Sequence, residues 1–222
     1  MKKFTYIDAT ALIVWLLPIA YLFSIYNALP QIVPLHYGAD GKVNRYGDKS
    51  ELIMATGVML FVGALVYLLL KFLPAIDPKK KVKYGEETFR KIAFGILLFV
   101  SALNIAILYV TGHRNLPIDK IMLPIAGLLF TFMGNMMNNI KPNYFAGVRT
   151  PWTLESEDTW RATHRLAGKL WFTGGLVITA ATLMLPSLPA TIVFGAGVLA
   201  LTLIPVIYSY VYFKNHQPQN NS

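Results

Sequence analysis

Long apolar segments alternate with short polar segments along the whole chain. Five runs without a charged residue are present, and they cover 9–26, 52–70, 92–112, 121–140 and 170–213. An α-helix needs about 20 apolar residues to cross the hydrocarbon core of a bilayer. The last run holds 44 residues, and Pro186 and Pro189 within it predict two helices joined by a tight turn. The pattern therefore predicts an all-α polytopic membrane protein, a bundle of six transmembrane helices.

The composition agrees with an integral membrane protein. Of the 222 residues, 55% are hydrophobic and 14% are charged, whereas soluble domains carry roughly 25% charged residues. The chain has no cysteine, which excludes disulfides, thiol catalysis and cysteine-type zinc sites. Within the third apolar run, the amide of Asn104 is expected to hold two helices together, with a substrate contact as the alternative.

The net charge of +9 is unevenly distributed between the predicted sides of the membrane. With six spans, 15 of the 20 Lys and Arg residues fall on the side of the two termini. The remaining five are Lys42, Arg45, Lys49, Arg114 and Lys120. The positive-inside rule therefore predicts that both termini are cytoplasmic. Because the orientation of the chain in the bilayer explains the excess of Lys and Arg residues, no direct nucleic-acid partner is expected.

The polar segment 134–165, called loop four, separates the fourth and fifth predicted spans. Asn135, Asn138 and Asn139 fall on one helical face, where amides either bind a neighbouring helix or line a polar pocket. The Lys141–Pro142 step is predicted to end the fourth helix, since the residue before proline avoids α geometry. Turn-forming Asn143 and Gly147 follow, and Thr150 with Pro151 predicts a second extended step.

A helix is predicted to restart after Pro151, with Thr153 or Ser156 as its N-cap. Trp160 and His164 then recur at helical spacing. An aromatic stripe at the start of a span is often only an interfacial belt. That explanation does not cover Asn143, Arg149 and Arg165 in the same segment. A buried arginine needs carboxylate, phosphate or carbonyl partners, which Glu155, Glu157 or a lipid headgroup would supply.

The segment 28–50, called loop one, lies on the other predicted side and has turn-forming residues throughout. Pro30 and Pro34 favour extended backbone, and Gly41 allows a tight turn. We therefore expect a short folded cap. His36 is a candidate metal ligand, but no second ligand stands at a suitable spacing, so a hydrogen-bonded structural histidine is the favoured interpretation.

Two motifs resemble known families. The pattern N-x5-K-P-N-x3-G-V-R-T-P-W-T-L, followed by W-x2-T-H-R-x2-G, resembles the signature of the SdpI family of bacterial membrane immunity proteins. Its matching positions are Asn135, Lys141, Pro142, Asn143, Gly147, Arg149, Thr150, Pro151, Trp152, Thr153, Leu154, Trp160, Thr163, His164, Arg165 and Gly168. Loop one resembles the short LPxxxPxH domain often fused ahead of it, on Leu29, Pro30, Pro34, His36, Gly41 and Lys49. That pattern usually has Asp where this chain has Asn44.

The resemblance implies a multi-pass protein of the bacterial plasma membrane, lying in the lipid bilayer and acting without catalysis or cofactor. It implies two regions: 1–75, with the first two helices and loop one, and 76–222, with four helices and loop four. The founding member of the family protects its own cell from a secreted toxin peptide. It also holds a small autorepressor at the membrane, so an ArsR-like repressor is an implied partner.

Two other hypotheses remain open from the residues alone. The chain could be an enzyme or transporter acting on a lipid or peptide at the inner leaflet, with Asn143, Arg149, His164 and Arg165 forming an anion pocket. Against this, the sequence has no HExxH, GxSxG or P-loop motif, and no carboxylate is expected inside the membrane. Alternatively, loop four is only a folded cap that pins two helices together.

Overall fold

A computed structural model describes residues 4–38, 41–76, 86–113 and 116–216. The elements are α1 (Tyr6–Ile25), β1 (Ile32–Tyr37), β2 (Val43–Asp48), α2 (Glu51–Ile76), α3 (Glu86–Gly112), α4 (Asp119–Met137), α5 (Pro151–Glu155), α6 (Glu157–Met184) and α7 (Ser187–Asn215). Within the described residues, six of these helices are long and apolar enough to cross a membrane. The predicted six-helix membrane fold is confirmed.

Helices α4 and α6 form the most extensive helix pair of the bundle. Glycines allow the close approach: a Cβ on Gly134 would lie 2.3 Å from the backbone nitrogen of Phe172. On the facing helix, a Cβ on Gly175 would lie 2.6 Å from the carbonyl oxygen of Gly127. Small residues permit such backbone contact between transmembrane helices. The tight pairing places the end of α4 beside the start of α6, where loop four connects them.

Loop one, predicted as a short folded cap, is an antiparallel hairpin. Strands β1 and β2 pair from Ile32 opposite Asp48 to Tyr37 opposite Val43. Below them, an apolar cluster of Leu22, Leu29, Val33, Leu52 and Leu108 joins the hairpin to α1, α2 and α3. The hairpin is therefore anchored to the bundle through buried side chains.

Three predicted boundaries can be compared with the structure. Helix α1 begins at Tyr6, earlier than the apolar run, and so includes Asp8. Helix α4 ends at Met137, before the predicted stop at Lys141–Pro142, because Asn138 and Asn139 already form a turn. The predicted break at Pro186 is present, since Leu185 and Pro186 are extended between α6 and α7.

The two predicted regions pack against each other. Helix α3 contacts both α1 and α2. Asn104, buried on α3, donates from its amide to the carbonyl oxygen of Thr56 on α2 at 3.5 Å, and the Thr56 hydroxyl donates back at 3.4 Å. Asn104 therefore holds two helices together. The boundary between residues 75 and 76 stays a prediction, and 77–85 lie outside the described residues.

Candidate functional site

His164 is the central buried residue of loop four. Its Nε2 accepts a hydrogen bond from the backbone N–H of Val148 at 3.2 Å. Its Nδ1 lies 2.9 Å from the carbonyl oxygen of Trp160, which can only accept, so Nδ1 carries the proton. Because Nε2 accepts and Nδ1 donates, the ring is neutral in this arrangement. The imidazole thereby joins the turn before α5 to the first turns of α6.

Trp160 completes the same buried core. Its indole stacks on the His164 ring with centroids 4.1 Å apart, and only 1% of Trp160 is exposed. The indole N–H donates to the carbonyl oxygen of Ile140 at 2.8 Å, which satisfies a backbone group just after α4. The interfacial-belt interpretation is therefore wrong for Trp160. This tryptophan ties the two ends of loop four together.

Gly147 meets this core at close range. Its φ angle is +107°, a region that favours glycine. A Cβ at this position would lie 2.3 Å from Nε2 of His164. Backbone conformation and packing therefore both require glycine in the turn that brings Val148 to His164.

Asn143 holds the turn that precedes Gly147. Its amide nitrogen donates to the carbonyl oxygens of Lys141 at 2.8 Å and Ala146 at 3.1 Å. Its amide oxygen accepts from the backbone N–H groups of Phe145 at 2.7 Å and Ala146 at 2.8 Å. The side chain is buried and its amide is fully used by the neighbouring backbone. Asn143 is a turn organiser and does not line a pocket.

Threonines join loop four to the last helix. Thr150 is the N-cap of the short helix α5 and accepts from the N–H of Thr153 at 3.2 Å. The Thr150 hydroxyl also lies 3.0 Å from the hydroxyl of Ser209 on α7. Ser156 caps α6 as predicted, by accepting from the N–H of Thr159 at 3.2 Å. The alternative prediction, in which Thr153 is the N-cap, is wrong. Thr153 lies in the first turn of α5 and donates its N–H to the cap residue Thr150.

The remaining motif residues divide into buried and exposed groups. Thr163 and Gly168 are buried on α6, and Trp152 on α5 packs against Tyr210 of α7 with ring centroids 5.0 Å apart. Asn135 on α4 and Pro151, the first residue of α5, are exposed.

Three exposed side chains form what we call the loop-four surface: Tyr144, Phe145 and Arg149. Arg149 donates from its guanidinium to the carbonyl oxygen of Tyr144, which holds the tip of its side chain against the turn. The two aromatic rings stand beside it, 41% and 39% exposed. This surface combines a cation with apolar area, and it is supported from inside by Asn143 and His164.

A second exposed feature is a cavity of about 480 Å³ between the end of α4 and the start of α6. We call it the basic cavity. Its lining residues are Asn138, Ile140, Lys141, Pro142, Glu157, Trp160, Arg161, His164 and Arg165. Of the four residues from which the sequence predicted an anion pocket, His164 and Arg165 line this cavity, whereas Asn143 and Arg149 do not.

In loop one, His36 is hydrogen bonded to Asn44, which stands where the LPxxxPxH pattern usually has aspartate. Its Nδ1 lies 2.6 Å from the amide oxygen of Asn44 on the paired strand. No group of three or more potential metal ligands occurs in the described part of the chain. The geometry supports the structural interpretation of His36. Pro30 precedes strand β1 and Pro34 lies within it, while Gly41, with φ +75°, forms the turn next to Asp119.

Lys49 fastens the hairpin to the end of α1. Its ammonium donates to the carbonyl oxygens of Tyr26 at 3.2 Å and Leu29 at 3.3 Å, and it lies 4.8 Å from the centre of the Tyr26 ring. Carbonyl groups at a helix C-terminus carry partial negative charge, so a cation there is favourable.

Replacing Lys49 with methionine is expected to lower the free energy of unfolding by about 1.5 kcal/mol, the lower value for hydrogen bonds to a charged group. The matched control is Arg45→Met, which removes a cation from the same hairpin and, among the described residues, breaks an exposed pair with Glu51. That control should cost less than about 1 kcal/mol. Thermal unfolding in detergent compares the two, and equal losses would contradict the role given to Lys49.

One polar cluster was missed by the sequence reasoning, which expected no carboxylate inside the membrane. Asp8 of α1 is buried and accepts hydrogen bonds from the Thr5 backbone at 2.8 Å, the Tyr67 hydroxyl at 2.7 Å and the Lys71 ammonium at 2.6 Å. An apolar cavity of about 280 Å³ lies beside this cluster. The sequence does carry one signal for the role of Asp8. Thr5 precedes it by three residues, which is the spacing of a capping box at the start of a helix.

Residues 139–209 match the SdpI/YfhL protein family, and residues 13–61 match a domain of unknown function, DUF1648. The chain is 25% identical over 201 residues to the immunity protein SdpI of Bacillus subtilis, covering 88% of this chain and 91% of that protein. It is 32% identical over 59 residues to an uncharacterized protein of Archaeoglobus fulgidus, covering 27% of this chain and 30% of that protein. No solved structure gives a significant match.

Proposed function

Since the chain carries the SdpI/YfhL family region and resembles an immunity protein over most of its length, we propose that it protects its cell against a secreted, membrane-active toxin peptide. We further propose that it holds a small ArsR-like repressor at the membrane. The observation that carries this proposal is the similarity to the immunity protein, which extends over 88% of the chain. It includes both loop one and loop four.

The proposed orientation in the membrane follows from the uneven distribution of Lys and Arg residues between its two sides. Both termini and loop four, with Lys141, Arg149, Arg161 and Arg165, lie in the cytoplasm, and loop one faces outward. In this arrangement the hairpin or the outer helix surface meets the toxin. The loop-four surface faces the compartment in which a repressor would be found.

The interior of loop four supports a binding role more than an enzymatic one. Both ring nitrogens of His164 are engaged by backbone groups, so the imidazole holds a turn together and has no nitrogen available for a substrate proton. The amide of Asn143 is equally committed to its own turn. The exposed cation and aromatic rings of the loop-four surface are the groups available to a protein partner.

Signalling would require two states of loop four with different affinity for the repressor. A ligand shifts such an equilibrium only if it binds one state more tightly. The close α4–α6 pairing offers the physical connection, because both helices run from the side opposite loop four to its two ends. Toxin bound outside would then alter the position of the turn that His164 holds.

Variants of the exposed and buried parts of loop four test this proposal. Arg149→Ala and Phe145→Ala are expected to leave protein abundance unchanged, since exposed substitutions usually change stability by less than about 0.5 kcal/mol. They should nevertheless reduce recruitment of the repressor, measured as its membrane-bound fraction. Lys214→Ala, which removes an exposed cation from the end of α7, is the matched control and should leave recruitment intact.

Two results would count against the proposal. If both surface variants recruit the repressor as the wild type does, the loop-four surface is not the output. If recruitment, protection and abundance all decline together in every loop-four variant, the loop is only a folded cap between α4 and α6.

A further inference from the structure

The basic cavity lies at the depth of the lipid headgroups. Helix α6 has 28 residues, and at 1.5 Å rise per residue it is about 42 Å long. The hydrocarbon core is only about 30 Å thick, so roughly two turns of α6 extend beyond it. The charged end of α6 is its N-terminus, with Glu157, Arg161 and Arg165, whereas its C-terminal end is apolar. The excess therefore lies at the N-terminus, level with phosphate groups.

The cavity is positively charged. Three cations, Lys141, Arg161 and Arg165, line it together with one carboxylate, Glu157. Arg161 pairs with Glu157 at 2.6 Å, and the lining carries two more cationic than anionic side chains. Among the described residues, no hydrogen-bond or ion-pair partner is found for Arg165. A guanidinium with open donor positions beside a second cation is suited to a phosphate oxygen.

The other walls of the cavity suit the same ligand. The amide of Asn138 adds a polar group at the end of α4, and Trp160 and Ile140 provide an apolar floor. His164 also lines the cavity, but neither of its nitrogens is available to a ligand, because both are bound to the backbone. Basic pockets between transmembrane helices on the cytoplasmic side typically bind anionic headgroups.

We propose that the basic cavity binds the phosphate of an anionic phospholipid, with Arg165 as the principal contact and Lys141 and Arg161 beside it. This goes beyond the immunity function and rests only on the proposed orientation in the membrane, because neither toxin nor repressor is required. A lipid held here would bridge the end of α4 and the start of α6, at the base of loop four.

Native mass spectrometry of the full-length protein in detergent tests this site with three probes: phosphatidylglycerol, phosphatidylcholine and inorganic phosphate. The wild type is expected to retain phosphatidylglycerol in preference to phosphatidylcholine. Arg165→Ala and Arg161→Ala should each weaken that binding about fivefold, the effect of one charge near an anionic lipid. Both side chains are exposed, so the variants should fold, and unchanged thermal unfolding would verify it. Lys214→Ala is the matched control and should change binding less than twofold.

Three results would overturn the proposal. The first is equal retention of phosphatidylglycerol and phosphatidylcholine by the wild type. The second is an equal effect of Arg165→Ala and Lys214→Ala. The third is binding of inorganic phosphate, with the same dependence on Arg165, in the absence of any preference for phosphatidylglycerol, which would identify a free anion as the ligand in place of a lipid.

Discussion

Replacing Asp8 with alanine is expected to lower the free energy of unfolding by about 3–5 kcal/mol, the cost of removing one partner from a buried ion pair. The side chains of Asp8 and Lys71 are only 3% and 16% exposed, and their charged atoms are 2.6 Å apart. Without the carboxylate, the Lys71 ammonium and the Tyr67 hydroxyl both lose a buried acceptor. The contact between α1 and α2 should loosen, and thermal unfolding in detergent would measure the loss.

Two further variants separate this ion pair from general damage to the helix. Lys91→Met breaks an exposed pair with Glu87 on α3 and is expected to cost less than about 1 kcal/mol. The double variant Asp8→Leu with Lys71→Met replaces both charges with apolar side chains and should recover most of the stability, as found for other buried pairs. If Asp8→Ala costs no more than Lys91→Met, the ion pair does not stabilise the bundle.

Gly147→Ala is expected to destabilise loop four by about 2–6 kcal/mol, the sum of two costs. A side chain at a φ angle of +107° is strained, which costs of order 1–3 kcal/mol. The new Cβ would also displace the His164 ring, and the N–H of Val148 would lose its buried acceptor at a further cost of about 1–3 kcal/mol. Reduced abundance in the membrane and a lower unfolding temperature are the expected observations.

Gly195→Ala provides the matched control for this variant. Gly195 lies in α7, and a Cβ there would meet nothing within 4 Å. Alanine in a helix is favoured over glycine, so stability should be unchanged or higher by up to about 1 kcal/mol. A Gly147→Ala protein as stable as the Gly195→Ala protein would show that the turn accepts a side chain and that the close contact with His164 is not required.

The membrane fold could be predicted from sequence because the bilayer imposes a length on every span. The break at Pro186 was equally visible, since proline ends a helix in a recognisable way. The hairpin of loop one was not predicted as strands. Its second strand, Val43–Asp48, is polar and largely exposed, and its pairing with β1 is irregular around His36, so no regular alternation marks it.

The sequence indicated where the motif residues lie along the chain but only partly what they contact. The structure brings them together in loop four, where the polar groups of Asn143 and His164 bind the backbone and hold the loop together. Both side chains bind backbone groups that the folded loop brings within reach. The residue types alone therefore do not indicate these roles. Asp8 was missed for a related reason: its partners Tyr67 and Lys71 lie on another helix, 59 and 63 residues further along the chain.

Deletion of the gene, followed by challenge with the organism's own secreted peptides, is the direct test of the immunity function. We expect the deletion strain to lose viability under that challenge and the wild-type chain to restore survival. Gly195→Ala should restore survival equally, and Gly147→Ala should restore less. Equal survival of the deletion and parent strains in the presence of every secreted membrane-active peptide would contradict an immunity function for this protein.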